Sequence, residues 1–196
     1  MTPISTRAVD ICVDMQMMFL PPGPWAVEWL PAILPKVLSL LNGRPERIFT
    51  RFITARRPGE GQGRWRQYYQ RWAQMTVECA GTASLELLPE PRDFVPPARV
   101  FDKPVYSPLL TGELHRSLQP TGGRCNRTHR QRRRGRYVCV GEAARSDDFG
   151  YRTILVEDAI CSTSDEAYEN ILKLFTTRYS HHVEVVSAEE VLDFWR

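Results

Sequence analysis

Residues 8–14, Ala-Val-Asp-Ile-Cys-Val-Asp, place the tightest constraint on what this chain can fold into. Val9, Ile11 and Val13 alternate with Ala8, Asp10 and Cys12, and the run closes on a carboxylate, Asp14. A short β-rich run of this kind reads as a buried parallel strand. The C-terminal end of such a strand is where open α/β sheets carry their chemistry. A strand-ending aspartate also caps turns, so Asp14 by itself leaves both roles open.

The rest of the chain alternates strand and helix signals. Pro21, Pro22 and Pro24 end the exit loop of the first strand, and Trp29, Ile33, Val37 and Leu40 recur on one helical face that stops at Asn42-Gly43. Pro31 and Pro35 predict a late start or a broken first turn for that helix. Residues 47–52 (RIFTRF) form a second strand, residues 56–63 a loop, and 98–103 (ARVFDK) a third strand after a proline-rich loop at 89–97. A helix ends near Leu118. Thr153–Val156 is a further buried strand, followed by a loop holding Asp158 to Ser162 and a helix that Ser164 caps. A last strand at 182–187 and a short helix at 188–195 close the chain.

Between the second and third strands, RWRQYYQRW (64–72) sets Trp65, Tyr68 or Tyr69, and Trp72 on one helical face. Three readings stay open for that face. It packs against the domain or a second subunit, it stacks on nucleic-acid bases, or it walls a substrate pocket.

Composition excludes several classes. At 196 residues, 42% apolar and 25% charged, the chain suits one α/β domain with a full core. Five cysteines without regular spacing do not make a disulfide framework, which points to a reducing compartment. No signal-peptide pattern opens the chain, and no apolar run approaches the ~20 residues of a membrane span. The expected setting is the cytoplasm.

Two motifs carry a resemblance. Asp14-Met15-Gln16, with Phe19 three residues on, resembles the D-M-Q-x-x-F opening of the isochorismatase-like cysteine hydrolases. Lys103, in Asp-Lys-Pro-Val-Tyr-Ser-Pro-Leu-Leu, resembles that family's catalytic lysine, which also follows a strand and precedes Tyr-Ser. The motifs stand in the family's order, about ninety residues apart, and the likeness covers roughly residues 8–120 and 149–195. It implies a three-layer Rossmann-like α/β domain with a mostly parallel sheet of about six strands, spanning residues 1–196 as one unit.

The stretch at 122–148 departs from the family. A central strand is due there, an apolar run closing on Thr-Gly and leading to the nucleophilic cysteine on a new helix. Residues 124–136 (RCNRTHRQRRRGR) hold seven of the 26 basic residues and no acid, and without them the chain carries 19 bases against 23 acids. Unpaired charges cost several kcal/mol each to bury, so these arginines do not suit the centre of a parallel sheet. Reading Gly123 to Arg130 from the second base of each codon permits Ala-Asp-Ala-Ile-Val-Leu-Thr-Gly, the missing strand and turn. A frame error entered near Gly122 and corrected before Phe149 is the preferred account. The rival account keeps the arginines as an exposed loop that binds phosphates without specificity.

The resemblance further implies a Cys–Asp–Lys triad cleaving an amide-like C–N bond of a small molecule through a thioester. Cys139, in Tyr-Val-Cys-Val, matches the nucleophile's setting, although ten residues separate it from Gly150 where the family calls for one more. Cys125 is the weaker candidate, because the shifted frame turns it into alanine. Cys161 follows the next strand and reads as structural or pocket-flanking. A free thiol titrates near 8.5 and needs activation, which a helix N-terminus and the Lys103 ammonium would supply. Asp14 would take and return the proton, and backbone N–H groups before the cysteine, often beside a non-proline cis peptide, would hold the oxyanion. The nicotinamidase branch binds a metal after its second strand. Here that region is ITARRPGEGQ, without histidine or aspartate, so no metal and no cofactor is expected. Isochorismatases themselves cleave a vinyl ether without the cysteine, so the family leaves the substrate open.

The resemblance also implies a homo-oligomer. Membranes are excluded as partners and nucleic acid is not the expected one. The alternatives to an active hydrolase are a catalytically impaired chain that lacks its central strand, and nucleic-acid binding through 124–136. A peptide mass map of residues 119–152, from protein expressed from the native gene, is expected to lack the arginine-rich peptides and to contain apolar ones carrying Ala-Ile-Val-Leu-Thr-Gly. Recovery of the arginine peptides overturns the frame-error account.

Overall fold

A computed structural model of the chain describes residues 3–4, 8–42, 46–119, 135–137, 146 and 148–195. Its strands are β1 (Asp10–Val13), β2 (Arg47–Phe52), β3 (Arg99–Lys103), β4 (Gly135–Tyr137), β5 (Arg152–Val156) and β6 (Val183–Val186). Its helices are α1 (Leu30–Leu41), α2 (Arg64–Arg71), α3 (Val77–Ala80), α4 (Pro89–Arg92), α5 (Glu113–Ser117), α6 (Asp165–Thr177) and α7 (Ala188–Phe194). β1 pairs with β2 and β2 with β3, β4 pairs with β5 and β5 with β6, and every one of these pairings is parallel. β4 lies beside β1, so the strands run 3-2-1-4-5-6. The connection direction reverses between β1 and β4, the switch point at which doubly wound sheets place their sites.

Alternation along each strand sends side chains to two apolar layers. On one face Cys12, Phe49, Ile154 and Val156 pack under α1 and α7, against Val37, Leu40, Leu41 and Val191. On the other, Val9, Ile11 and Ile48 meet Leu114 and Leu118 around α5, and Leu155 and Val183 meet Phe175 of α6. The result is a three-layer α/β domain, in keeping with the architecture the sequence implies. Two three-strand parallel sheets, β3-β2-β1 and β4-β5-β6, stand side by side with β1 next to β4.

Most expected elements occur where the sequence puts them. β2 spans the expected residues, and Ser164 Oγ accepts from the Ala167 N–H at 3.2 Å, capping α6. Three details differ. α1 begins at Leu30 despite its prolines, because Pro31 falls in the first turn, where a missing amide costs nothing. Pro35 one turn later is carried inside the helix. The segment 89–97 is not all loop: Pro89 and Pro91 lie in the single turn of α4. The central position, expected to be lost, is held by the three residues of β4, paired to β5 from Gly135↔Arg152 to Tyr137↔Ile154. The arginine-rich residues before it lie outside the described set.

α7 starts with a capping box. Ser187 Oγ accepts from the Glu190 N–H at 3.2 Å, and the Glu190 carboxylate accepts from the Ser187 N–H at 2.9 Å. Because α7 covers β5 and β6 through Ala188 and Val191, Ser187→Ala is expected to destabilise the protein by about 1 kcal/mol in urea unfolding.

Candidate functional site

The C-terminal ends of β1, β2 and β3 bring two charged side chains together. Asp14 directly follows β1, and its N–H donates to Thr50 O at 3.1 Å, extending the ladder with β2 by one residue. The chain then turns sharply. Asp14 is the one described non-glycine residue with positive φ (55°), and the Gln16 N–H donates back to Asp14 O at 2.8 Å. Aspartate is among the few non-glycine residues that enter this left-handed region readily.

Lys103 ends β3, opposite Phe52 of β2. Neighbouring strands lie about 4.8 Å apart, so a residue on β3 must reach across β2 to meet β1. The lysine stem is long enough. Its Nζ donates to Asp14 Oδ2 at 2.7 Å and to Tyr106 O at 2.9 Å, and lies 5.6 Å from the centroid of the Phe52 ring. Thr50 Oγ1 donates to the other carboxylate oxygen at 3.1 Å. The Lys103 side chain is 3% exposed and that of Asp14 22%, so the carboxylate keeps a window that the ammonium lacks. Burial pushes the Asp14 carboxyl above its ordinary value, and the Lys103 charge and the bonds from Lys103 and Thr50 pull back against it. Breaking a buried pair from one side costs about 3–5 kcal/mol, because the partner stays buried and unpaired.

Asp14 lines a cavity of about 240 Å³ between β1, α1 and the exit of β5, with Phe19, Ile33, Ile160 and Cys161 in its wall. The Cys161 thiol titrates at about 11, pushed up by burial, and is therefore protonated at neutral pH. That agrees with its reading as a pocket-flanking residue. Cys139 and Cys125 lie outside the described residues. Asp14 and Lys103, distant in sequence, are joined, and the third member of the expected constellation is not described. Among the described residues no three of His, Cys, Asp or Glu are grouped as metal ligands, and no helix is long and apolar enough to cross a membrane.

Two features escaped the sequence. The first is Gln16, fully buried and hydrogen-bonded through its whole amide to Phe52 and Leu85. It stands inside the recognised motif, but the sequence carries no sign of the distant backbone groups that its amide bonds. The second is the company of the α2 aromatic face. Trp65 and Tyr106 lie 5.2 Å apart and Phe52 is 6.1 Å from Trp65, so the face packs within the domain, directly against the ring over which Lys103 passes. Tyr106, 61% exposed, is its open edge.

No protein-family model matches the chain, and no curated protein matches it. Solved structures do. A cysteine hydrolase from Pseudomonas syringae pv. phaseolicola superposes with a TM-score of 0.78 at 20% identity, over 98% of this chain and 94% of that one. An isochorismatase family protein from Desulfovibrio vulgaris gives 0.74 at 16% identity, over 95% and 97%. N-carbamoylsarcosine amidase from Thermoplasma acidophilum gives 0.64 at 20% identity, over 96% and 97%. The class is thus a doubly wound parallel α/β domain with a charged pair near its switch point. Within that class, the fold is that of the isochorismatase-like cysteine hydrolases, as the Asp14 and Lys103 motifs imply.

The displaced Asp14 titration has a consequence for stability. The unfolded carboxyl titrates near 3.8 and the folded one above it, so between the two the folded protein binds more proton. Stability from this group is present below 3.8 and lost as pH rises through the folded value. Urea unfolding from pH 3.5 upward is expected to show the stability difference between wild type and Asp14→Asn falling with pH. A difference that grows with pH means that pairing to Lys103 outweighs burial.

Proposed function

We propose that this chain is a cysteine hydrolase that cleaves an amide-like C–N bond of a small molecule, with Asp14, Lys103 and Cys139 as its catalytic residues. The observation that carries the reading is the buried Asp14–Lys103 pair at 2.7 Å, at the C-terminal edge of a sheet whose solved relatives include a cysteine hydrolase and an amidase. Chain connectivity adds support. β4 lies beside β1 and ends at Tyr137, and Cys139 follows two residues later, a reach of at most about 7 Å of chain.

In this mechanism Asp14 takes the thiol proton and the Cys139 sulfur adds to the substrate carbonyl carbon. The Lys103 ammonium stabilises the negative charge of the site. The C–N bond then breaks, and Asp14 gives its proton to the departing nitrogen, leaving an acyl thioester. Water attacks the thioester carbon while Asp14 accepts its proton. The C–S bond breaks and the thiol is restored. A base must be ionised to act, so the raised Asp14 titration places the acid limb of the kcat/KM profile above the ordinary aspartate range. Phe19, Ile33 and Ile160, in the wall of the cavity that Asp14 lines, supply a surface for an apolar substrate group.

The test pairs the printed chain with a frame-restored chain, both assayed against small amides by release of ammonia or amine. Hydrolysis is expected from the restored chain, with an acyl adduct trapped on the cysteine at or beside position 139. Cys139→Ser is expected to lower kcat/KM by at least about 10³-fold. Turnover that survives the loss of that cysteine overturns the nucleophile assignment. An active restored chain beside an inert printed one identifies the printed chain as the impaired form. Salt-sensitive nucleic-acid binding lost on deleting 124–136, without hydrolysis from either chain, replaces the enzyme reading with the basic-loop one.

A further inference from the structure

We propose that Gln16 is a positioning residue that sets the Asp14 carboxylate against the Lys103 ammonium. The inference rests on the reading of that pair as catalytic, and its geometry stands independently. Gln16 is fully buried. Its Oε1 accepts from the Phe52 N–H at 2.7 Å, while its Nε2 donates to Phe52 O at 3.1 Å and to Leu85 O at 2.7 Å. One acceptor and two donors are thus used on a group that offers both, which neither a carboxylate nor a thioether of the same length can do.

The bonded partner is the informative part. Phe52 is the β2 residue in register with Lys103, and its ring is the one nearest the ammonium, at 5.6 Å from the centroid. Gln16 itself is two residues from Asp14 and donates its own N–H to Asp14 O at 2.8 Å. The side chain therefore ties the turn carrying the acid to the peptide over which the lysine passes. Asp14 sits at φ 55°, in the left-handed region that aspartate tolerates better than most non-glycine residues. Thr50 fixes one carboxylate oxygen through its hydroxyl and the Asp14 N–H through its carbonyl, but it makes no contact with the lysine side of the pair. Backbone bonds from Asp14 N–H to Thr50 O, Leu88 N–H to Met15 O and Met17 N–H to Glu86 O hold the chain on either side of Gln16. Releasing its amide therefore removes the side-chain tie between this turn and Phe52, the residue opposite Lys103.

Among the described residues the groups facing the Asp14 carboxylate are Lys103 and Thr50, so loss of the lysine contact raises its titration midpoint. The experiment follows that midpoint by ¹³C NMR of aspartate-labelled full-length chain in wild type, Gln16→Met and Lys103→Met. The lysine variant gives the shift for complete loss of the pair. Gln16→Met is expected to move the midpoint upward by at least half of that shift. Gln16→Asn, which keeps the amide but shortens its reach, carries the test if the methionine variant does not fold. An unchanged or lowered midpoint in a folded variant overturns the proposal, because a residue that only supports the fold leaves the pair intact. Where an amide substrate is in hand, kcat is expected to fall about 10²-fold with KM within about threefold. An upward midpoint shift in a chain that hydrolyses no amide leaves the positioning role standing and removes the hydrolase reading instead.

Discussion

The contact between Lys103 and Asp14 governs how the surrounding elements are arranged. Two ions removed from water are held at low cost only by near-ideal geometry and further hydrogen bonds. Here those come from three strands and a loop. β1 delivers the acid, β3 the lysine, β2 the Thr50 hydroxyl between them, and the segment after β3 folds back so that Tyr106 O meets the ammonium. The register Val13↔Thr50 and Phe52↔Lys103 sets the depth of each group at the sheet edge. A slip by one residue in either ladder would turn the alternate faces over and separate the charges.

The other half of the sheet makes a different demand. A parallel strand flanked on both sides has each face covered, so its residues should be apolar. β5 obeys this with Ile154, Leu155 and Val156 all buried. β4 has only Gly135, Arg136 and Tyr137, preceded by a segment whose charge no acid within it balances. α1 and α7 connect the two halves of the domain: Leu40 packs with Ile154, Val156 and Val191, Lys36 donates to Asp158, and the Ala188 N–H donates to the same carboxylate. That arrangement explains how a chain with an aberrant centre still presents the family's outline on either side of it.

Much of the outline was legible because it rests on local signals. Apolar alternation located the strands, Ser164 and Asn42 marked helix ends, and the two motifs named the residues that now lie 2.7 Å apart. What stayed hidden depends on distant partners. Nothing near Gln16 in sequence indicates that its amide bonds Phe52 and Leu85, 36 and 69 residues away. The aromatic face of 64–72 left three readings open because periodicity reports that a face exists and not what it meets. The prolines of α1 and α4 misled for a related reason, since their cost depends on position within the turn rather than on their presence. Cys139, the proposed nucleophile, falls outside the described residues.

The choice among cysteines follows from how a thiol is made reactive. Cys161 lies in the cavity wall with Asp14, which would make it attractive on proximity alone. Yet burial without a compensating cation drives its titration up to about 11, leaving it a thiol at neutral pH. Cys12 is buried within β1, and Cys79 is exposed on α3. The cation that could activate a thiol is Lys103, and its described partners are Asp14 and the Tyr106 carbonyl. In the proposed mechanism the nucleophile served by it arrives from the side of Asp14 that β2 does not occupy. That side is where β4 runs, and the first cysteine after β4 in the chain is Cys139.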